Sequence, residues 1–372
     1  MKSKEKKRSR IKTVFLRAGL FIACIFCVLL AYFAYVMLSY KRLPDRMELE
    51  IEPLPARKDE APLVKRGMEY SIITYNIGFG AYTPDFSFFM DGGESSVAKS
   101  KESVIETVSN AAEHVLAQDP DFALIQEMDI GGTRSYQVNQ YELFNRKLSE
   151  YHKVFAQNYD SAFLFYPLHR PHGKNKSGIS TYSKYPILSA MRRSFPISRS
   201  FSKFLDLDRC YSISRIEVDE GRELVIFNVH MSAYGNSSEI REAQVSMLLG
   251  DMEEEYEKGN YILCGGDFNH ELKEEADQSK NQSLQSWAHP FPKESLSEHF
   301  YFGIDSLSEE EREKLAPSSR NADIPYSPDK SQLNTLDGFI LSDNIECSLY
   351  RTIDTAFSYS DHEAVELRFR LK

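Results

Sequence analysis

From residue 69 onward, apolar residues gather in short runs at 70–76, 122–126, 152–156, 178–182, 212–217, 223–229, 260–265, 336–341 and 363–369. Each run is too short for a typical helix and is bounded by polar or turn residues, so each predicts a β-strand. The stretches 97–117 and 238–258 instead space their apolar residues at helical intervals, and in the second Glu253, Glu254 and Glu255 mark the face that meets water. Strands that are partly consecutive and partly separated by helices predict a mixed α/β or α+β domain over 69–372, without internal repeats.

The run at 18–40 breaks this pattern. It has 23 residues, none charged, and as a helix would extend roughly 35 Å, enough to cross a bilayer. Eight Lys/Arg precede it within 1–17, and behind it only Lys41, Arg42 and Arg46 come before the acidic body. The positive-inside rule therefore predicts a single-pass cell-membrane protein with a cytoplasmic basic tail and the body outside. A cleaved signal peptide has the same basic start, but its apolar core usually spans only ~7–15 residues, so the run reads as an uncleaved anchor. A lipoprotein site at Ala23-Cys24 is disfavoured, because apolar residues continue past Cys24. Residues 41–68 carry Pro44, Pro53, Pro55 and Pro62 among charges and read as a tether.

Charge sharpens this division. Residues 1–46 hold 11 Lys/Arg against 2 Asp/Glu, and the remainder holds 34 and 53 of the chain's 45 and 55. A body that acidic disfavours nucleic acid as a partner unless one face is locally basic. Cys24 and Cys27 fall within the apolar run, leaving Cys210, Cys264 and Cys347. Three cysteines without CxxC spacing predict neither a disulfide framework nor a zinc site.

The chemistry gathers where apolar runs end. Asn76 closes the first run and Glu127 the second, and a carboxylate there is costly unless a cation or hydrogen bonds satisfy it. His230 ends the run at 223–229. In Gly265-Gly266-Asp267-Phe268-Asn269, an extended backbone would project Asp267 and Asn269 to one side, able to meet one phosphate or one water. Asp337 opens an apolar run, and Asp361-His362 precede the last strand, placing an acid beside an imidazole that titrates near neutrality. Asp337 could orient that imidazole and stabilise its charged form. Taken singly, each of these is equally a turn, cap or ion-pair residue.

The joint order TYNI (74–77), QE (126–127), NVH (228–230), GGDFN (265–269), LDGFIL (336–341) and SDH (360–362) resembles the endonuclease/exonuclease/phosphatase family. The fold is shared by pancreatic-type deoxyribonuclease, apurinic endonucleases, neutral sphingomyelinases and inositol polyphosphate phosphatases. The segment 177–187 also resembles the family's central strand and turn. The resemblance covers about residues 69–372 and implies a four-layer α/β/β/α sandwich of two mixed sheets. It implies Glu127 as principal ligand of a catalytic Mg2+, or Mn2+, with Asn76 beside it and Asp361 completing the metal and water network. Asp267 and Asn269 would hold the phosphate and the attacking water or leaving oxygen. His230 and His362 would be acid/base or phosphate-stabilising groups, with Asp337 orienting His362. Asp160 is offered as support for His230, and Lys174, Asn175 and Arg209 as phosphate contacts.

An oxygen-rich ligand set independently suits a hard cation. Hydrolysis of a phosphate ester needs a Lewis acid, an activated water and a proton for the departing oxygen, and each role has a candidate. The expected protein is a membrane-tethered, Mg2+-dependent phosphoesterase acting on a phospholipid or small phosphate ester, with the bilayer as partner through 18–40 and no obligate protein partner. The alternatives are an extracellular nuclease and, in another class, a catalytically silent anchored binding domain. The insertion at 272–335, with Trp287, Phe291, Phe300, Tyr301 and Phe302, reads equally as a substrate-facing loop or as ordinary packing.

Overall fold

The computed structural model describes residues 2–39, 42–52, 62–197, 208–232, 238–273 and 288–372. Residues 18–39 of the charge-free run lie in helix α1 (Lys2–Ser39), whose portion Arg10–Ser39 is long and apolar enough to cross a membrane. There follow β1 (Met47–Glu48), β2 (Ile51–Glu52), β3 (Glu69–Asn76), α2 (Lys101–Ala117), β4 (Phe122–Gly132), α3 (Gln140–Lys147), β5 (His152–Asp160), β6 (Asn175–Ser183) and β7 (Ile187–Ser194). Next are β8 (Cys210–Glu217), β9 (Glu223–His230), α4 (Ser238–Glu257), β10 (Tyr261–Asp267), β11 (His270–Glu271), β12 (His289–Pro290) and β13 (Phe300–Phe302). The chain continues through α5 (Glu309–Lys314), β14 (Ser319–Arg320), β15 (Leu333–Asn334), β16 (Asp337–Ser342), β17 (Ile345–Ile353) and β18 (Ala364–Leu371).

Two seven-stranded sheets form the body, in the orders β1-β7-β8-β9-β10-β16-β13 and β17-β18-β3-β4-β6-β5-β2. Both are mixed, with β9 parallel to β10 in the first and β3 parallel to β4 in the second. Period-two alternation builds the layers. Ile72 and Leu124 share one apolar cluster with Phe227, Leu263 and Phe339 of the other sheet. Their neighbours Ile73, Ala123 and Ile125 instead meet Val104, Val108, Ala111 and Val115 of α2. On the far side, Val245, Leu248 and Met252 of α4 join the first cluster. The fold is therefore the expected four-layer sandwich, and each fully buried Ile, Leu or Phe side chain contributes about 1.5–3 kcal/mol by leaving water.

Part of the span read as a tether pairs with the body. Met47, Leu49 and Ile51 are half-buried and alternate with exposed Glu48, Glu50 and Glu52, a strand period. Met47 thereby pairs with Arg192 at one sheet's edge and Ile51 with Val154 at the other's. Ion pairs Arg42–Asp208 and Asp45–Arg193 fasten the same stretch. Pro53 and Pro55 lie outside the described residues.

The insertion resolves towards packing: Phe291, Phe300 and Phe302 are buried in the main core, and Trp287 lies outside the described residues. Strand β7 had no apolar run because Arg192 and Arg193 interrupt it. Arg192 is nonetheless fully buried, donating to the Gln157 carbonyl and Asp208.

Candidate active site

Sheet register gathers the polar strand ends. In the first sheet Asp267 stands opposite His230 on β9 and opposite Asp337 on β16, so three adjacent strands present three functional groups in one row. Gly266 makes this possible: its φ is 146°, and a Cβ there would lie 2.1 Å from the Val229 carbonyl oxygen. In the second sheet Asn76 pairs with Gln126, and the β4–β6 register shifts between Ile125 and Met128. Glu127 occupies this bulge with φ 55°, a backbone conformation that costs energy in a non-glycine residue and re-aims its side chain. Asp361 and His362 lie just ahead of β18, which pairs with β3.

The two sheets meet through Asn76, whose Nδ2 donates to Asp267 Oδ2 at 2.9 Å and lies 3.5 Å from Glu127 Oε1. Asp267 Oδ1 accepts from the Asn269 backbone N–H at 2.8 Å. Asn269 is not extended as expected. It has φ 50° and its amide donates to the Met231 carbonyl, because the strand stops at Asp267 and turns back. Asp337 Oδ2 lies 2.7 Å from His362 Nδ1 and accepts from Ser318 Oγ at 2.8 Å, while Asp337 Oδ1 has no hydrogen-bond partner among the described residues. The opposite imidazole nitrogen, His362 Nε2, stands 3.8 Å from Asp267 Oδ2, and His230 Nε2 stands 3.6 Å from the same oxygen and 3.7 Å from Glu127 Oε1.

The electrostatics separate these groups. Burial opposes a charged His362, but Asp337, Asp267 and Asp361 outweigh it and hold its pKa well above the ordinary histidine value. Burial, Arg209 and His362 push His230 well below that value, leaving it neutral. Burial raises Asp267, with Asp337 adding to the rise and His362 opposing it. Glu127 is raised by burial and then by repulsion from Asp361, yet 24% of its side-chain surface remains open.

The remaining expectations divide. Arg209 is buried and its guanidinium donates to His230 Nε2. Asp160 does not support His230, whose Nδ1 is unpartnered among the described residues; Asp160 pairs with exposed Lys174 at 3.6 Å. Asn175 is committed to the fold, accepting from the Arg134 N–H and donating to the His172 carbonyl. Three charged groups near the site have no sequence signal. Asp91 is pushed up to about 7 by burial and by Asp361 and Glu127. Arg134 grips Asp129 through two hydrogen bonds and lies over the Phe79 ring. Arg320 is buried one strand from His362, its guanidinium donating to the Tyr82, Thr83 and Asn321 carbonyls. Each finds its surroundings only in three dimensions. The one cue is Asp91-Gly92-Gly93, which reads as a turn.

The donor set fits a hard divalent cation. Glu127 and Asp361 repel each other while Glu127 stays accessible, an arrangement that a cation between oxygen ligands relieves. A tighter group, Asp267, Asp337 and His362, offers one ligand atom each within 4.8 Å, but there the His362 Nδ1 already faces Asp337. Gly78 accommodates this crowding: with φ 49°, it has no Cβ where one would stand 2.9 Å from Asp361 Oδ1.

A family model described as "Endonuclease/Exonuclease/phosphatase family" matches residues 73–293. Among solved structures, the chain is similar to an endonuclease/exonuclease/phosphatase from Beutenbergia cavernae DSM 12333, at 17% identity and TM-score 0.56, covering 82% of this chain and 72% of that one. It is also similar to D. rerio TDP2 complexed with single strand DNA product, at 14% identity and TM-score 0.53, covering 81% and 99%. An endonuclease/exonuclease/phosphatase from Bacteroides vulgatus matches at 12% identity and TM-score 0.50, covering 82% and 100%. At these identities the likeness concerns the fold. No curated protein sequence matches significantly.

Proposed function

The chain belongs to the endonuclease/exonuclease/phosphatase family, whose members are divalent-metal-dependent phosphoric ester hydrolases, and from this premise we propose a membrane-tethered hydrolase of a phosphodiester or phosphomonoester. The observation that carries this reading is the convergence of two histidines in opposite charge states on one carboxylate oxygen, Asp267 Oδ2. Neighbouring titratable groups whose environments push them apart are the signature of divided acid and base roles.

In this reading Glu127 and Asp361 would hold Mg2+; Asn76, expected beside the ion as a ligand, instead turns its Nδ2 to Asp267 and Glu127 and its Oδ1 to the Gly78 N–H, so it positions the two carboxylates. When bound, the ion supplies Lewis-acid stabilisation of phosphoryl charge and of the departing oxygen. Asp267, fixed by Asn76 and the Asn269 N–H, orients the attacking water and takes its proton. The His362 imidazolium, held charged by Asp337, donates from Nε2 to a phosphoryl oxygen. Arg209 brings a second positive charge, and neutral His230 fixes the guanidinium by accepting from it. Helix α1 tethers this machinery to the membrane, with the body outside.

The test is hydrolysis by the full chain in detergent micelles, with Mg2+ or Mn2+, of bis-p-nitrophenyl phosphate, sphingomyelin, inositol phosphates and plasmid DNA. Metal-dependent turnover of a lipid or small ester that is abolished by chelation is expected. Cleavage of DNA alone would favour the nuclease reading, which rests on likeness to a structure holding a DNA product and is opposed by the acidic body. Inertness towards all of them would leave a silent binding domain.

A further inference from the structure

The connection between β5 and β6 is a hairpin that buries Ala162 and Leu164 and leaves Phe165, Tyr166 and Leu168 exposed. Leu164 and Gly173 close it with reciprocal backbone hydrogen bonds of 3.0 and 2.9 Å, and the His172 N–H donates to the Tyr166 carbonyl. Its stem is anchored: His172 Nδ1 lies 2.8 Å from the Ser96 carbonyl oxygen, and the Arg170 guanidinium donates to the Ala98 carbonyl and Tyr136 Oη. Its outer part is bare, with Phe165 50%, Tyr166 71% and Leu168 85% exposed. A fixed hairpin that holds large apolar side chains in water incurs a cost that a partner would remove.

The end of α1 indicates which partner. Tyr32 Oη donates to the Phe163 carbonyl, the Phe163 N–H donates to Tyr35 Oη, Val36 packs on Ala162, and the Tyr32 and Phe165 rings meet edge-on at 5.2 Å. The charge-free run begins at Ala18, and at 1.5 Å per residue Tyr32 stands only about 21 Å further along the helix. The hydrocarbon layer is about 30 Å thick. If α1 spans the bilayer from Ala18, whatever packs against Tyr32 lies within the outer leaflet. Tyr32 and Tyr35 are also the residue type that gathers at the membrane–water boundary.

We infer that hairpin 161–174 is a second membrane-contacting element, with Phe165, Tyr166 and Leu168 seated in the outer leaflet beside α1 and Arg170 at headgroup level. This rests on the reading of α1 as a transmembrane anchor. The hairpin also adjoins the catalytic cleft. Phe89 lies 5.9 Å from the Tyr166 ring, Met90 beside it is exposed, and Asp91 shares the field of Glu127 and Asp361. A bilayer that receives the hairpin therefore borders the cleft, within reach of a phosphate carried by a lipid.

The test places a tryptophan at the tip, Leu168→Trp, in the full chain with Trp287→Phe removing the only native tryptophan. The protein is reconstituted into phosphatidylcholine–phosphatidylglycerol vesicles whose acyl chains are brominated either near the glycerol or near the bilayer centre. Leu168→Trp should emit at blue-shifted wavelengths and lose most of its emission to the shallow bromines. Val28→Trp in the same background, about 15 Å along the helix from Ala18 and so near the bilayer centre, should be quenched by the deep ones. If Leu168→Trp is unquenched and red-emitting while Val28→Trp is quenched, the anchor stands and the hairpin proposal is wrong. If neither is quenched, the anchor reading falls and takes the proposal with it. Blue-shifted but unquenched emission that depends on protein density identifies a second copy of the chain as the occupant and also overturns the proposal. Tyr166→Trp repeats the measurement with a closer substitution.

Discussion

The two histidines of the cleft approach the same carboxylate oxygen from different strands, yet their surroundings are opposite. His362 is flanked by Asp337, Asp267 and Asp361, and remains charged although buried. His230 is held neutral first by its burial, and Arg209, His362 and Arg134 push the same way. The lesson is that burial alone does not decide a histidine's role. Both are buried, and the sign of the nearest side chain makes one a donor of positive charge and the other an acceptor that fixes an arginine.

The largest expected effect tests whether both halves serve one centre. Glu127 lies near His230 and also feels His362, so Glu127→Gln should reduce kcat by more than the loss of either histidine, with partial recovery at high Mg2+. Full activity at low Mg2+ would remove Glu127 from the site. Next comes the charged half. His362→Ala and Asp337→Asn should each lower kcat by about 10²-fold or more, while the double variant falls hardly further, because groups that act as a unit are non-additive. Losses that multiply fully would mean that the two act independently. Since the His362 pKa is raised, its contribution is present at low pH and disappears as pH climbs through that raised value. In Asp337→Asn the alkaline limb of the kcat profile should therefore move to lower pH. The smallest effect concerns the neutral half. Arg209→Gln removes the neighbouring cation, so the His230 pKa should rise in a proton NMR titration. KM should increase by about tenfold, the cost of one charge-assisted hydrogen bond of about 1.5 kcal/mol. An unchanged His230 titration would show that burial alone suppresses its charge.

Much of this contrast was legible in the chain. Asn76, Glu127, His230, Asp267, Asp337 and His362 each stand at the start or the end of an apolar run, and a buried strand carries such residues to its end wherever the register allows. The spacing of Asp267 and Asn269 misled, because two-residue alternation holds only while a strand continues. The environment that sets each proton state was not legible. Arg134, Arg320 and Asp91 carry no periodic signal, and their effects depend on backbone carbonyls, rings and carboxylates brought close by folding. The β1 and β2 edge pieces were missed for a different reason: alternation of Met47, Leu49 and Ile51 with glutamates was there to be read, but the charges and prolines around it dominated.

Strand β18 is the last described strand in chain order, yet it lies inside its sheet between β17 and β3, with Asp361 and His362 just ahead of it. During vectorial synthesis, in which N-terminal segments emerge first, β3 waits for that partner. Competence thus arrives late and all at once. Until β18 inserts, the Asp337–His362 pair has no imidazole and β3 keeps an unpaired edge. The order of strands in the sheet therefore makes the Asp337–His362 side of the cleft late to assemble.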